Sequence, residues 1–274
     1  MIVDAHFHCW QLARADYAWL TPALAPIYRD VHIADWQAQA APCGVQAGVL
    51  VQAAPTEAET EFLLTQADHA TAVHGVVGWV DLLAADARER IARLAARPKL
   101  KALRPMLHDL PDPEWMLQPA LAPALRAMVE HGLAFDALVR PAHLPALLQL
   151  CLRHPDLRVV VDHAAKPDIA AAVWQPWADA MARIADQTRA VCKLSGLLTE
   201  AGAAPAPQAT RRWAQHVLEC FGAQRVMWGS DWPVLELAAT YATWWGETQA
   251  MLAGLGAVER AAVLGGTARR IYRL

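Results

Sequence analysis

The chain has 274 residues, 55% of them hydrophobic and only 19% charged, with a net charge of −3 from 24 basic and 27 acidic side chains. That length supports a well-buried core in one large domain, and the near-neutral charge excludes the electrostatic footprint of a nucleic-acid or membrane-surface binder. Mean hydropathy is +0.17, yet every apolar run is cut by His, Asp, Gln, Arg or Pro well short of the roughly 20 residues that a membrane span needs.

From the N-terminus, residues 2–5 read as a short strand, with Asp4 standing where a secretory leader would carry its basic region. Further apolar, β-branched runs that read as strands lie at 46–52, 73–80, 100–104, 133–139, 157–162, 190–194 and 225–229. Between them, Thr56 followed by Glu59 is a capping-box signal for a helix running towards His69. Segment 84–96 carries Ala87, Ile91 and Leu94 on one face and stops before Pro98. Helical patterns continue at 119–131, 142–153, 174–187, 209–221, 239–252 and 258–272. The Ala/Pro stretch 203–207 reads as a loop over one end of the fold. The cysteines, Cys9, Cys43, Cys151, Cys192 and Cys220, are odd in number and without a Cys-x-x-Cys spacing, which points to reduced thiols in a cytoplasmic protein.

Eight strand–helix units in a chain of this size predict a (β/α)₈ barrel occupying residues 1–274 as a single domain. The rival, a doubly wound open sheet, would carry a Gly-rich turn after its first strand, and none is present. A barrel gathers its functional groups at the C-terminal ends of its strands. His6 and His8 follow the first strand, and their i, i+2 spacing puts both imidazoles on one side of an extended backbone. Later strand ends bring Gln52, Trp79, Arg104, Asp136, Asp162-His163 with Lys166 beyond, Lys193 with Ser195, and Asp231-Trp232. Such a ring is hard to explain as core, because each unpartnered polar group would cost several kcal/mol there.

Four longer strings carry a resemblance: Asp4-Ala5-His6-Phe7-His8-Cys9-Trp10, Val161-Asp162-His163-Ala164-Ala165-Lys166-Pro167, Cys192-Lys193-Leu194-Ser195-Gly196-Leu197 and Met227-Trp228-Gly229-Ser230-Asp231-Trp232-Pro233. With the tail from Gly265 to Tyr272, the sequence resembles the amidohydrolase superfamily. Within it, the strings are similar to the sugar-lactone hydrolase branch, which includes L-fuconolactone and L-rhamnonolactone hydrolases and is related to pyrone dicarboxylate lactonase. The resemblance implies hydrolysis of an aldonolactone to the open-chain acid. Asp231 would act as general base, with His6, His8 and His163 around the carbonyl oxygen. Gln52, Trp79, Arg104, His108, Lys193 and Trp232 are the candidates for holding the polyol; for Lys193 a buried ion pair with Asp136 or Asp162 is the competing reading.

The departures from the wider superfamily matter. The fourth strand ends in Arg104 and the fifth reads Phe135-Asp136-Ala137, so the usual extra metal ligands are missing and a two-metal site is not expected. His6, His8 and Asp231, with His163 nearby, would still suit one Zn²⁺, read as a metal that binds without being essential. No organic cofactor is expected, and the partner is a small neutral lactone, with a monomer or homodimer both open. Two other functions stay in view. One is a metal-dependent decarboxylase or other hydrolase on the same scaffold; the other is a non-enzymatic ligand-binding barrel, which would be expected to show gaps in the catalytic set.

Overall fold

The computed structural model describes residues 1–203, 205–206 and 208–274, so the 203–207 stretch falls partly outside the described residues. Eight parallel strands follow one another around a single sheet in chain order: β1 (Ile2–Phe7), β2 (Val45–Val51), β3 (Val73–Gly78), β4 (Leu100–Leu103), β5 (Ala134–Ala137), β6 (Val159–Val161), β7 (Val191–Leu194) and β8 (Val226–Trp228). The sheet closes just beyond its strands. There the His8 N–H donates to the Trp232 carbonyl at 2.8 Å, and the Asp231 N–H donates to the His6 carbonyl at 2.8 Å. The result is a (β/α)₈ barrel whose closing seam runs through the residues picked out by their chemistry.

The helices are α1 (Ile33–Ala40), α2 (Glu57–Asp68), α3 (Ala87–Ala95), α4 (Ala122–Glu130), α5 (Leu144–Arg153), α6 (Trp177–Gln187), α7 (Leu197–Glu200), α8 (Arg211–Phe221), α9 (Tyr241–Met251), α10 (Ala257–Ala261) and α11 (Thr267–Tyr272). Helix α1 has no counterpart in the sequence reading, because its buried face is only Ile33, Trp36 and Ala40. The closing helix expected over 258–272 is broken at Gly265, where a side chain would meet the Met1 carbonyl at 2.5 Å.

Two apolar layers result. A narrow interior of Val3, Ala5, Val49, Val51, Val77, Val160, Val191 and Met227 is plugged from below by Ala268, Ile271 and Tyr272 of α11. A larger shell fills the space between strands and helices, with Trp36, Trp177, Trp228 and Trp244 fully buried in it. Small inward side chains leave the upper interior to polar groups. None of the five cysteines is paired, and among the described residues no helix is long and apolar enough to cross a membrane.

Strand β1 departs from simple alternation at the point that matters. Asp4 pairs with Gly48 but Phe7 pairs with Leu50, so three steps on β1 match two on β2 and one residue is extra. Such a bulge re-aims the side chains that follow it. Val3 and Ala5 point into the barrel, Phe7 stacks on Trp36 outside at 4.1 Å, and His6 and His8 face each other in the mouth with ring centroids 4.9 Å apart.

Candidate active site

The β1–β8 seam is held by one side chain. Asp4 is fully buried; its Oδ1 accepts the Ser230 N–H at 2.7 Å and the His6 N–H at 3.2 Å. Its Oδ2 accepts the Ser230 hydroxyl at 2.6 Å, Trp36 Nε1–H at 2.9 Å and the Tyr241 hydroxyl at 3.0 Å. Five donors from four elements thus converge on one carboxylate, fixing His6 on one side and the Ser230-Asp231 turn on the other. Asp231 itself adopts φ 60, a left-handed conformation that Asp tolerates better than most side chains. Gly229 makes room for this, since a Cβ there would lie 2.8 Å from that of His6.

His163 arrives by a more strained route. His163, Ala164, Ala165 and Lys166 take φ of 50, 50, 62 and 48, four successive left-handed residues without a glycine. Each costs of order 1 kcal/mol or more, so the surroundings must hold the turn. Trp177 Nε1–H grips the Ala164 carbonyl at 2.7 Å, and His163 Nδ1 meets Ser195 Oγ at 2.9 Å. The ring rests on Gly196, where a Cβ would sit 2.7 Å from Nδ1.

These supports bring three imidazoles to one carboxylate oxygen. Asp231 Oδ1 lies 3.3 Å from His8 Nε2, 3.6 Å from His6 Nε2 and 3.8 Å from His163 Nε2. Burial by itself would push the Asp231 carboxyl up, but His163, the hydrogen bond with His8, and Lys166 outweigh it and hold the group at about 2. Burial lowers His163 to about 4 against the opposing pull of Asp231 and Asp162. His6 is driven well below the ordinary histidine value by burial, with Lys193 and its neighbouring imidazoles adding to the effect. Near neutral pH the cluster is therefore an ionised carboxylate beside neutral His6 and His163.

Beneath it lies a buried layer of charge. Lys193 Nζ contacts Asp136 Oδ2 at 2.6 Å, Asp162 Oδ1 at 3.0 Å and His6 Nδ1 at 3.2 Å. Tyr272, from the plug, donates to the same Asp136 oxygen at 2.7 Å. Arg104 reaches Asp162 Oδ2 at 3.3 Å and is gripped by Gln52, whose Oε1 accepts from Nε at 2.9 Å and from Nη2 at 2.6 Å and whose backbone carbonyl also accepts from Nη2. Asp162, with two cations, is held below the usual carboxylate range, whereas burial pushes Asp136 up to about 6.

Above the cluster opens a cavity of about 190 Å³. Its polar wall is made by His8, Arg104, His108, Asp109, His163, Lys166 and Asp231, and its apolar wall by Trp19, Ala53, Met106, Leu138 and Val234. Lys166 is held by an ion pair with Glu200, and burial keeps His108 neutral by lowering it to about 3. Asp231, His8, His163, Arg104 and His108 are thus brought together at one surface, with His6 one layer behind.

Four expected substrate contacts lie elsewhere. Gln52 is buried and spends its amide on Arg104. Lys193 sits in the charge layer and not on the wall, so the ion-pair reading describes its position. Trp79 is not among the residues lining the cavity, and its backbone N–H and C=O are both bonded to Thr60 Oγ1. Trp232 is buried with Nε1–H on Glu236 at 2.7 Å. The aromatic group that does line the cavity is Trp19, whose Nε1–H donates to the Ala53 carbonyl at 2.7 Å. Nothing in the local sequence marks Trp19, since its place depends on the fold of the β1–α1 loop. The capping-box reading also changes: Thr56 Oγ1 accepts the Glu59 N–H at 3.0 Å, but the Glu59 carboxylate turns to the Ala53 and Ala54 N–H groups at 3.0 and 2.6 Å. Glu59 thereby anchors the cavity wall rather than its own helix, and burial pushes it up to about 7.

For a metal, the ligand atoms of His6, His163 and Asp231 all lie within 4.8 Å of one another, and those of the expected set His6, His8 and Asp231 lie within 3.6 Å of one another. His8 turns its Nδ1 to the Val51 carbonyl at 2.8 Å. Two imidazoles and a carboxylate at these separations fit the donor type and the roughly 2.0–2.2 Å bond lengths of a Zn²⁺ site with an open position.

A (β/α)₈ barrel with a His-x-His pair after β1, a histidine after β6 and an aspartate after β8 defines a hydrolase-type mouth. The chain belongs to the amidohydrolase family, whose pattern matches residues 3–274. It is 47% identical to an L-fucono-1,5-lactonase of Burkholderia ambifaria, over 99% of this chain and 95% of that protein. It is 34% identical to an L-fucono-1,5-lactonase of Burkholderia multivorans, over 99% and 96% of the two. A crystal structure of an amidohydrolase from Burkholderia multivorans with bound zinc superposes with a TM-score of 0.93 at 33% identity, covering 100% of this chain and 99% of that one.

Proposed function

We propose that this protein hydrolyses a sugar-derived lactone, an aldonolactone such as L-fuconolactone or L-rhamnonolactone, to the open-chain aldonic acid. The observation that carries the reading is the convergence of an ionised Asp231 with three imidazoles at the wall of a small cavity. The 47% identity to an L-fucono-1,5-lactonase supports the substrate class.

In this reading Asp231 takes a proton from water as the water oxygen attacks the lactone carbonyl carbon. The ring C–O bond then breaks, and the same proton goes to the departing ring oxygen. His8, His163 and Arg104 supply donors for the oxyanion, and each donor lost costs roughly 2.7–4 kcal/mol of barrier. Gln52 fixes the direction of Arg104. Trp19 offers an aromatic face to the C–H side of the ring, and Lys166 and His108 offer donors to its hydroxyls. A divalent ion, when bound, would be held by His6, His163 and Asp231 and would polarise the carbonyl as a Lewis acid. Five unpaired thiols suit a reducing, cytoplasmic setting for this activity.

The test is a pH-indicator hydrolysis screen over aldonolactones, with and without a chelator, on the wild type and Asp231→Asn. Asn is tolerated at φ 60, so the variant should keep its fold while losing about 10³-fold or more in turnover. Full turnover by the variant refutes the role of Asp231. No turnover of any lactone by the wild type refutes the substrate class.

A further inference from the structure

Lys193 has three N–H bonds and three acceptors around it: Asp136 Oδ2 at 2.6 Å, Asp162 Oδ1 at 3.0 Å and His6 Nδ1 at 3.2 Å. The first two make the ion pair. The third has a separate consequence, because a neutral imidazole carries one proton, and a donor directed at Nδ1 requires that proton to sit on Nε2.

The opposite tautomer can be weighed against it on distances. With the proton on Nδ1, the acceptor available is Asp162 Oδ1 at 3.8 Å, beyond hydrogen-bonding range, and Nε2 would accept from Arg104 Nη1 at 3.4 Å. With the proton on Nε2, His6 accepts from Lys193 at 3.2 Å and turns its N–H to the space between His8 Nε2 at 3.2 Å and Asp231 Oδ1 at 3.6 Å. Arg104 loses nothing, since its Nη1 still has Asp162 Oδ2 at 3.3 Å.

We infer that Lys193 is a positioning residue: it fixes the tautomer of His6, and with it the ring nitrogen that turns an N–H towards the Asp231 carboxylate. The effect is to present an N–H of His6, and not a lone pair, to the Asp231 carboxylate and its histidine neighbour. Reversing His6 would set a lone pair against Asp231 Oδ1 and push the carboxylate off its seat. A metal at His6 Nε2 must first displace that proton. The tautomer assignment stands on its own; its consequence for rate rests on the lactonase reading.

The test pairs ¹⁵N-histidine NMR, which reports which ring nitrogen bears the proton, with steady-state kinetics on an aldonolactone. Lys193→Met alone leaves two buried carboxylates short of a cation, so the decisive protein is Lys193→Met/Asp136→Asn, which removes one charge of each sign. Tyr272→Phe deletes a hydrogen bond to Asp136 without touching His6 and serves as the control. The wild type and Tyr272→Phe are expected to show His6 protonated on Nε2. The double variant is expected to lose that preference and to fall about 10–100-fold in kcat with little change in KM. A wild-type His6 protonated on Nδ1 overturns the inference, as does a double variant that keeps the wild-type tautomer. Should the tautomers behave as expected while no lactone is turned over, the functional reading fails and the inference about Lys193 remains.

Discussion

Asp4→Asn isolates the seam between β1 and β8. The amide replaces one carboxylate oxygen by an NH₂ group, and the two orientations are unequal. At the Oδ1 position it would face the backbone N–H groups of His6 and Ser230, neither of which can turn away. At the Oδ2 position it faces the hydroxyls of Ser230 and Tyr241, which can rotate to accept, and Trp36 Nε1–H, which cannot. The second orientation is cheaper and leaves one orphaned donor, worth about 1–3 kcal/mol, while the remaining hydrogen bonds lose their charge assistance at about 1 kcal/mol each. Burial pushes the Asp4 carboxyl above its usual range against the hydrogen bonds that lower it, so relief of that desolvation returns part of the loss. The net cost is about 2–4 kcal/mol, which lowers the melting temperature by roughly 4–16 °C for a protein of this size. Circular-dichroism melts read the shift, and lactone hydrolysis should fall with it, because His6 and Ser230 both lose their anchor. In a double-mutant cycle, Trp36→Phe should cost at least ~1 kcal/mol less in the Asp4→Asn background, since it removes the orphaned donor. A melting temperature within 1 °C of wild type, or additive costs in the cycle, would refute the argument.

Two further outcomes follow from the site. Since Asp231 is ionised above about 2 and His163 becomes neutral as the pH rises through about 4, the competent pair is fully formed by about pH 5.5. The plot of kcat/KM against pH should therefore carry an acid limb near 4; undiminished kcat/KM below that pH would contradict the state assigned to His163. Trp19→Ala should raise KM about 5–10-fold, from a lost aromatic contact of about 1 kcal/mol or more. Its melting temperature should hardly change, because Trp19 is 36% exposed; an unaltered KM would remove it from the binding wall.

Read alone, the sequence determined the barrel, the order of its strands and the residue types at its mouth. Strand–helix alternation and a polar side chain closing strand after strand are local properties, set by periodicity and by the high cost of burying lone polar groups. Tertiary structure decided what those side chains do. Period-two alternation would not carry Val3, Ala5 and His6 all inward; the extra residue between Asp4 and Phe7 does, and a bulge depends on the partner strand. Asp4 and Tyr272, given no role from sequence, became the anchor of the seam and the floor of the charge layer, because Ser230 and Tyr241 lie more than 200 residues from Asp4 and Asp136 lies 136 residues from Tyr272. Gln52 and Lys193 moved from substrate contacts to supports behind Arg104 and His6, and Trp19 took the place expected of Trp79 and Trp232. A sequence names which groups the chain can bring to a strand end. Which of them reaches the cavity and which stands one layer behind depends on packing between strands and loops distant in the chain, and no local pattern encodes that.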